Sequence, residues 1–301
     1  MHRRVSTSEM LKLYEVEEVE VKYLDFIAKI FAENLDFMRD RFLLRLKVYK
    51  SWKDKLKREI KRTTDMGIGA ERIMHYIIAR YYGEYFSPVS IPVGSNLFYE
   101  TEDAFVHIDL KTAYVQNGID YMGLVVVGDA QTSYPMKNKW GALREFEPKL
   151  PVFYDIGKGK RKLCLTYAIL IIHVDIEEII EEKLDPNMLS VVIASIPNGL
   201  LYSIYGDEIC WEPKSFHYKK NKKLQPANFR YIYYKKPLFE TLKSRGIKQY
   251  RIKLFFNKNY SGIYFDIQTS KYGGWKKVKI SPRFITQISS KKILSKITTY
   301  I

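Results

Sequence analysis

Asp109 and Lys111 stand two residues apart in Ala104-Phe105-Val106-His107-Ile108-Asp109-Leu110-Lys111, a run that reads as one β-strand. Side chains of an extended chain alternate, so Asp109 and Lys111 share one face while Val106, Ile108 and Leu110 fill the other. Asp103 has the same parity, and a turn at Glu102-Asp103 would set its carboxylate at the start of the strand, leaning toward Asp109. Two such carboxylates form a hard oxygen site suited to Mg²⁺. Asp103, Asp109 and the backbone carbonyl of Leu110 would hold the ion against a phosphate, and Lys111 would orient or deprotonate the attacking water. The plainer alternative is a surface ion pair on an edge strand. Acid-x-Lys pairs such as those at Glu20, Glu147, Glu181 and Glu212 fall in expected helices or precede proline, whereas Asp109-x-Lys111 lies on a clear strand.

The elements that would carry this strand are legible from periodicity. Apolar residues recur at helical spacing over 8–62, where Phe42, Leu44, Leu46, Trp52 and Leu56 predict a second helix after the first. Gly67 to Tyr82 reads as a further helix that stops at Gly83 and carries Glu71, with His75 one turn on. His75 and His107 could add to a metal site, although lone histidines are usually ordinary structural residues. Candidate strands follow at Leu97–Tyr99, Ala104–Leu110, Leu124–Val127, Leu163–Val174 and Leu189–Ile196, with an acidic helix expected over 175–184. The run Leu124–Val127, apolar on both faces, predicts a central strand covered on both sides. The stretch Gly157-Lys158-Gly159-Lys160 lacks phosphate-loop spacing and reads as a hairpin turn.

Charge divides the chain. The whole carries a formal +16, yet from Lys214 onward 22 Lys and Arg face only Glu240 and Asp266. That basic segment is interleaved with aromatic residues and alternates as strands do, as in Tyr250–Phe256. A polyanionic partner is the natural inference, because Lys and Arg displace condensed counterions from nucleic acid. Arg230, Lys253 and Asn257 are candidates for reaching base edges, with nothing to distinguish among them. Cys164 and Cys210 are far apart and form no C-x-x-C pair, which excludes a disulfide framework or zinc ribbon. The longest apolar run is too short for a bilayer, and the expectation is a soluble cytoplasmic protein.

Over roughly 67–134 the chain resembles the PD-(D/E)xK nucleases, and within them the type II restriction endonucleases. Asp103 stands for the first aspartate and Asp109-Leu110-Lys111 for the D/E-x-K element. The residue before Asp103 is Glu102 rather than proline, so Glu100 and Glu102 compete with Asp103 as first ligand. The helix bearing Glu71 is similar to one that delivers an extra acid in many such enzymes, and Gln131-Thr132-Ser133-Tyr134-Pro135 looks like a segment of some restriction enzymes. The resemblance implies an α/β core with a mixed sheet flanked by helices, preceded by an N-terminal helical part and followed by a basic, β-rich C-terminal region. The corresponding division is 1–66 helical, 67–213 nuclease core and 214–301 DNA-binding, continuous with the core or separate. It further implies Mg²⁺-dependent cleavage of both strands of double-stranded DNA with 5′-phosphate ends, a homodimer, and a companion methyltransferase. Competing readings are a repair nuclease or Holliday junction resolvase of the same superfamily, and a DNA-binding protein without catalysis.

Overall fold

The computed structural model describes residues 7–60, 65–90, 94–114, 123–137, 145–173, 190–211, 213, 215–218, 224–233, 235–256, 263–266, 274–277 and 298–300. Two helices open the chain, α1 (Thr7–Ile60) and α2 (Asp65–Tyr81). The two helices expected over 8–62 are one, because no Gly or Pro interrupts 7–60 and nothing breaks the hydrogen-bond ladder. Leu13, Val16, Leu24, Ile27, Phe31, Met38 and Phe42 lie on its buried stripe, recurring every three, four, seven or eight residues as a core-facing helix requires.

That stripe packs on a mixed sheet. Its strands begin with β1 (Ser87–Pro88), β2 (Leu97–Glu100) and β3 (Ala104–Tyr114), joined antiparallel in that order. β4 (Leu124–Gly128) leaves the sheet, and β5 (Phe153–Asp155) and β6 (Arg161–His173) return to it as a hairpin, turned by Gly157, Lys158 and Gly159 at positive φ, as the glycine spacing predicts. β6 lies parallel to β3, and β7 (Ser190–Ile196) pairs antiparallel with β6. Burial follows this order: β3 and β6 have neighbours on both sides, and nearly all their residues from Ala104 to Leu110 and from Leu163 to His173 are buried.

The second half of the chain feeds both this sheet and a smaller one. β8 (Cys210–Trp211) is followed by the hairpin β9 (Phe216–Tyr218) and β10 (Leu224–Pro226), then by β11 (Asn228–Ile232), which pairs with both β8 and β4. A short helix, α3 (Glu240–Ser244), leads into β12 (Ile252–Phe256), which adds to β7 in the main sheet. β13 (Ile263–Asp266) and β14 (Gly274–Lys277) pair with each other, and β15 (Thr298–Tyr300) extends the main sheet alongside β12. Thus β11 and β12, both in the basic segment after 213, are built into the same core as β4 and β7. The expectation for Leu124–Val127 needs correction: β4 is an edge strand of the three-stranded sheet, with Val125 and Val127 buried while Leu124 and Val126 are only partly covered. A continuous apolar run does not by itself say how many neighbours a strand has. The acidic helix expected over 175–184 and Asn257 lie outside the described residues. No helix among the described residues is long and apolar enough to cross a membrane.

A buried ionic cluster ties α1 to β12. Arg251, fully inaccessible, donates from Nη2 to Glu17 at 3.1 Å and Glu20 at 2.6 Å, and from Nε to the Tyr205 hydroxyl at 2.8 Å. Its guanidinium lies over the rings of Tyr205 and Phe239. Glu17 also accepts from Thr241 N and Oγ1 and from Leu242 N, at 2.8, 2.6 and 3.1 Å, which caps the first turn of α3. Glu20 accepts from Asn198 N at 2.7 Å. Two carboxylates face one guanidinium here, and burial pushes Glu20 up to about 7 against the pull of Arg251, with Glu17 repelling it.

Replacing Arg251 with Met leaves two buried acids without their cation and is expected to lower unfolding stability by about 3–5 kcal/mol, read from urea denaturation. A carboxyl raised on folding holds its proton more tightly in the folded state. Its contribution is therefore complete below the ordinary value of 4.5 and lost as pH rises through about 7. The urea midpoint should fall between pH 5.5 and 8 more steeply in the wild type than in Glu20→Gln; equal slopes would show that Glu20 does not titrate there.

Candidate active site

Four elements converge on Asp109. β3 presents it with Lys111, and the even residues Val106, Ile108 and Leu110 of this strand join the core shared with Ala70, Met74, Ile77 and Ile78 of α2. That buried stripe of α2 sets the helix at a fixed rotation, with Glu71 at its half-buried margin beside the strand. The register Leu97↔Ile108 between β2 and β3 brings Asn96, the residue before β2, opposite Asp109. The turn after β4, Asp129–Gln131, supplies Gln131.

The side chains form one hydrogen-bonded set. Asp109 is buried, and its Oδ2 is 2.5 Å from Lys111 Nζ. Gln131 donates from Nε2 to Asp109 Oδ1 at 2.8 Å, while its Oε1 accepts from Lys111 Nζ at 3.3 Å. Asn96 Oδ1 accepts from Leu110 N at 2.6 Å, and its Nδ2 donates to Glu71 Oε1 at 2.7 Å. Burial raises the Asp109 carboxyl, Lys111 opposes that rise, and the charge of Glu71 adds to it, so the two acids sense each other. The N–H of Leu110 points to the edge of β3 where β2 has ended, and in a strand the carbonyl of the same residue points to that edge too.

Asp103 is not part of this set. It lies before the first residue of β3, six positions from Asp109, which in an extended chain is about 20 Å. Lys22 of α1 binds it at 2.7 Å and the Tyr23 hydroxyl donates to it. The expected turn at Glu102-Asp103 is present and joins β2 to β3, with Thr101 N donating to Ala104 O at 2.9 Å, but it leaves Asp103 at the strand's entrance, because parity along a strand tells which face a side chain takes and says nothing of distance. Of the rival acids, Glu100 pairs with Lys162 at 2.7 Å and Glu102 is exposed near Lys22. The structure therefore brings Asp109, Leu110, Lys111 and Glu71 together and leaves Asp103, Glu100 and Glu102 at the other end of the strand. Asn96 was not flagged by the sequence, because a neutral amide has no ligand spacing to detect; Gln131 lay in the stretch Gln131–Pro135 already singled out.

The histidines have other partners. His107 stacks on Phe98 with ring centroids 4.1 Å apart, and its ring nitrogens meet Ser95 Oγ and Tyr154 Oη at 3.1 Å each. Burial lowers its pKa to about 3, so it is a neutral packing residue. His75 meets the Tyr99 hydroxyl at 3.3 Å. Lys253 pairs with Asp25 at 2.5 Å and is mostly buried, whereas Arg230 lies on β11 beside β4.

A D-x-K strand inside a mixed sheet, with a helix delivering a further acid, places the protein among restriction-endonuclease-like folds, and solved structures agree. The fold is similar to that of the restriction endonuclease BglI bound to its DNA recognition sequence, with a TM-score of 0.54 and 14% identity, over 79% of this chain and 90% of that one. It is also similar to the tetrameric restriction endonuclease SfiI bound to cognate DNA, with a TM-score of 0.50 and 11% identity, over 89% and 95% of the two chains. No curated protein matches the sequence. Residues 12–178 match the N-terminal domain of the type II restriction enzyme MwoI, and the chain belongs to that family.

Asp103→Asn should cleave DNA as the wild type does, at a stability cost on the order of 1 kcal/mol or less, since its ion pair with Lys22 is largely exposed. Loss of cleavage with folding intact would return Asp103 to the active site.

Proposed function

We propose that this chain is a Mg²⁺-dependent endonuclease that recognises a short sequence in double-stranded DNA and cuts both strands, leaving 5′-phosphate ends. The observation that carries the reading is the convergence of Asp109, Lys111 and Glu71 at the end of β2, where β3 runs on past its pairing with β2. Among the described residues no three His, Cys, Asp or Glu side chains gather as metal ligands. The oxygens at hand are two carboxylates, from Asp109 and Glu71, and the Leu110 carbonyl, a hard donor set that suits Mg²⁺ completed by waters and a phosphate oxygen. When bound, the ion would polarise the scissile phosphate and offset the charge of the in-line transition state. Asp109 and Glu71 would hold it, with Asn96 fixing the Glu71 carboxylate. Lys111 carries its ammonium on a four-carbon stem from a paired strand, and would place the attacking water or stabilise the phosphate charge.

The concentration of Lys and Arg after residue 213 supports phosphate contacts by that segment. One such site cuts one strand, so cutting two antiparallel strands of a palindrome calls for two copies about a twofold axis, and a homodimer is the assembly we propose. An enzyme of this kind would work in the cytoplasm beside a methyltransferase that protects the host's own sites.

The test is incubation of the protein with long unmethylated duplex DNA of known sequence, with Mg²⁺ and with EDTA, followed by sequencing of the ends. Fragments that require Mg²⁺ and share one short end sequence are expected. Retarded but uncut duplex, or cutting confined to branched DNA, would refute the reading. Asp109→Ala and Lys111→Ala should each abolish cleavage while keeping DNA affinity; full activity in either would move the site. The logarithm of DNA affinity should fall with that of salt by about 0.9 per neutralised phosphate, and a flat response would remove DNA as the partner.

A further inference from the structure

Gln131 makes four hydrogen bonds, and two of them are with backbone. Its Oε1 accepts from Gly128 N at 2.7 Å and its Nε2 donates to Gly94 O at 3.0 Å. A backbone N–H can only donate and a carbonyl can only accept, so these two groups decide which end of the amide is oxygen. The remaining lone pair then faces Lys111 and the remaining proton faces Asp109. Turned over, the amide would set NH₂ against an ammonium and oxygen against a carboxylate.

The anchors are themselves held. Gly94 N donates to Ala130 O at 3.1 Å, and a Cβ at Gly94 would come within 2.6 Å of the Ala130 Cβ, so only glycine lets the two segments approach this closely. Asp129 N donates to Ala227 O, and Gly128 sits opposite Asn228 of β11. Gln131 is therefore fixed to the smaller sheet while its amide grips two residues of the larger one.

We propose that Gln131 is a positioning residue of the cleavage site, orienting Asp109 and Lys111 relative to each other and joining both to the β4–β11 sheet; this rests on the cleavage reading above. It binds neither substrate nor metal in this role. Removing it leaves Asp109 and Lys111 present but free to choose other rotamers, and losses of 10–100-fold in metal affinity or activity are typical when such a supporting hydrogen bond is deleted.

Gln131→Met keeps the length and removes the hydrogen bonds; Gln131→Asn keeps the polarity and shortens the reach by one methylene. Three quantities are read in both: single-turnover cleavage in Mg²⁺, Mn²⁺ binding to DNA-free protein, and duplex affinity in Ca²⁺. The first two should fall by about 10–100-fold while duplex affinity stays within about twofold. Wild-type cleavage and Mn²⁺ binding in either folded variant would overturn the proposal, as would a parallel loss of duplex affinity, which marks a merely structural role. Wild-type protein that cuts no duplex at all would instead refute the cleavage reading, which is thus tested apart from the role of Gln131.

Discussion

The buried guanidinium of Arg251 is the constraint on which the rest of the arrangement rests. A cation so placed is tolerable only with its counter-charges in contact, and both come from α1, as Glu17 and Glu20. The helix therefore has one rotation and one height against β12. The same two glutamates reach Thr241, Leu242 and Asn198, so the start of α3 and the loop after β7 are set by the same ions. An apolar contact between helix and sheet would permit sliding by a turn; this network has hydrogen-bond directions and does not. Once α1 is placed, α2 can pack only where its Ala70, Met74, Ile77 and Ile78 meet the shared core, and that decides where Glu71 stands.

Around the catalytic candidates the same logic operates with neutral groups. Asn96 and Gln131 each spend part of an amide on backbone and part on an acid, so the orientation of Glu71 and Asp109 is inherited from the main chain. The Lys111 ammonium is held by Asp109 and Gln131. A group that must exchange partners when a phosphate arrives is well served by contacts that are few and polar.

How much of this was legible beforehand follows from what each signal measures. Alternation along Ala104–Lys111 reports the face of a strand, so Asp109 and Lys111 were found as a pair. It does not report distance, and Asp103, which shares that parity, lies before the start of β3 and pairs with Lys22. Helical spacing found α2, but Glu71 was singled out on that helix only through the resemblance to nucleases that carry an acid there. The partners of β3 could not be read: nothing in its own residues reveals that β6, more than 50 positions later, lies parallel to it through eleven paired residues. The ionic cluster was hidden for the same reason, since Glu17, Glu20 and Arg251 look like three ordinary surface charges until the fold closes. Asn96 joins the site through strand register, which depends on a pairing the sequence does not announce.

The turn Gly128–Gln131 is shared property of two sheets, and this limits how the chain can diversify. Substitutions at the far end of β11, away from Asn228, can alter what the smaller sheet touches without moving the turn. Those that shift Gly128, Asp129 or the Gly94 crossing displace the amide that holds Asp109 and Lys111.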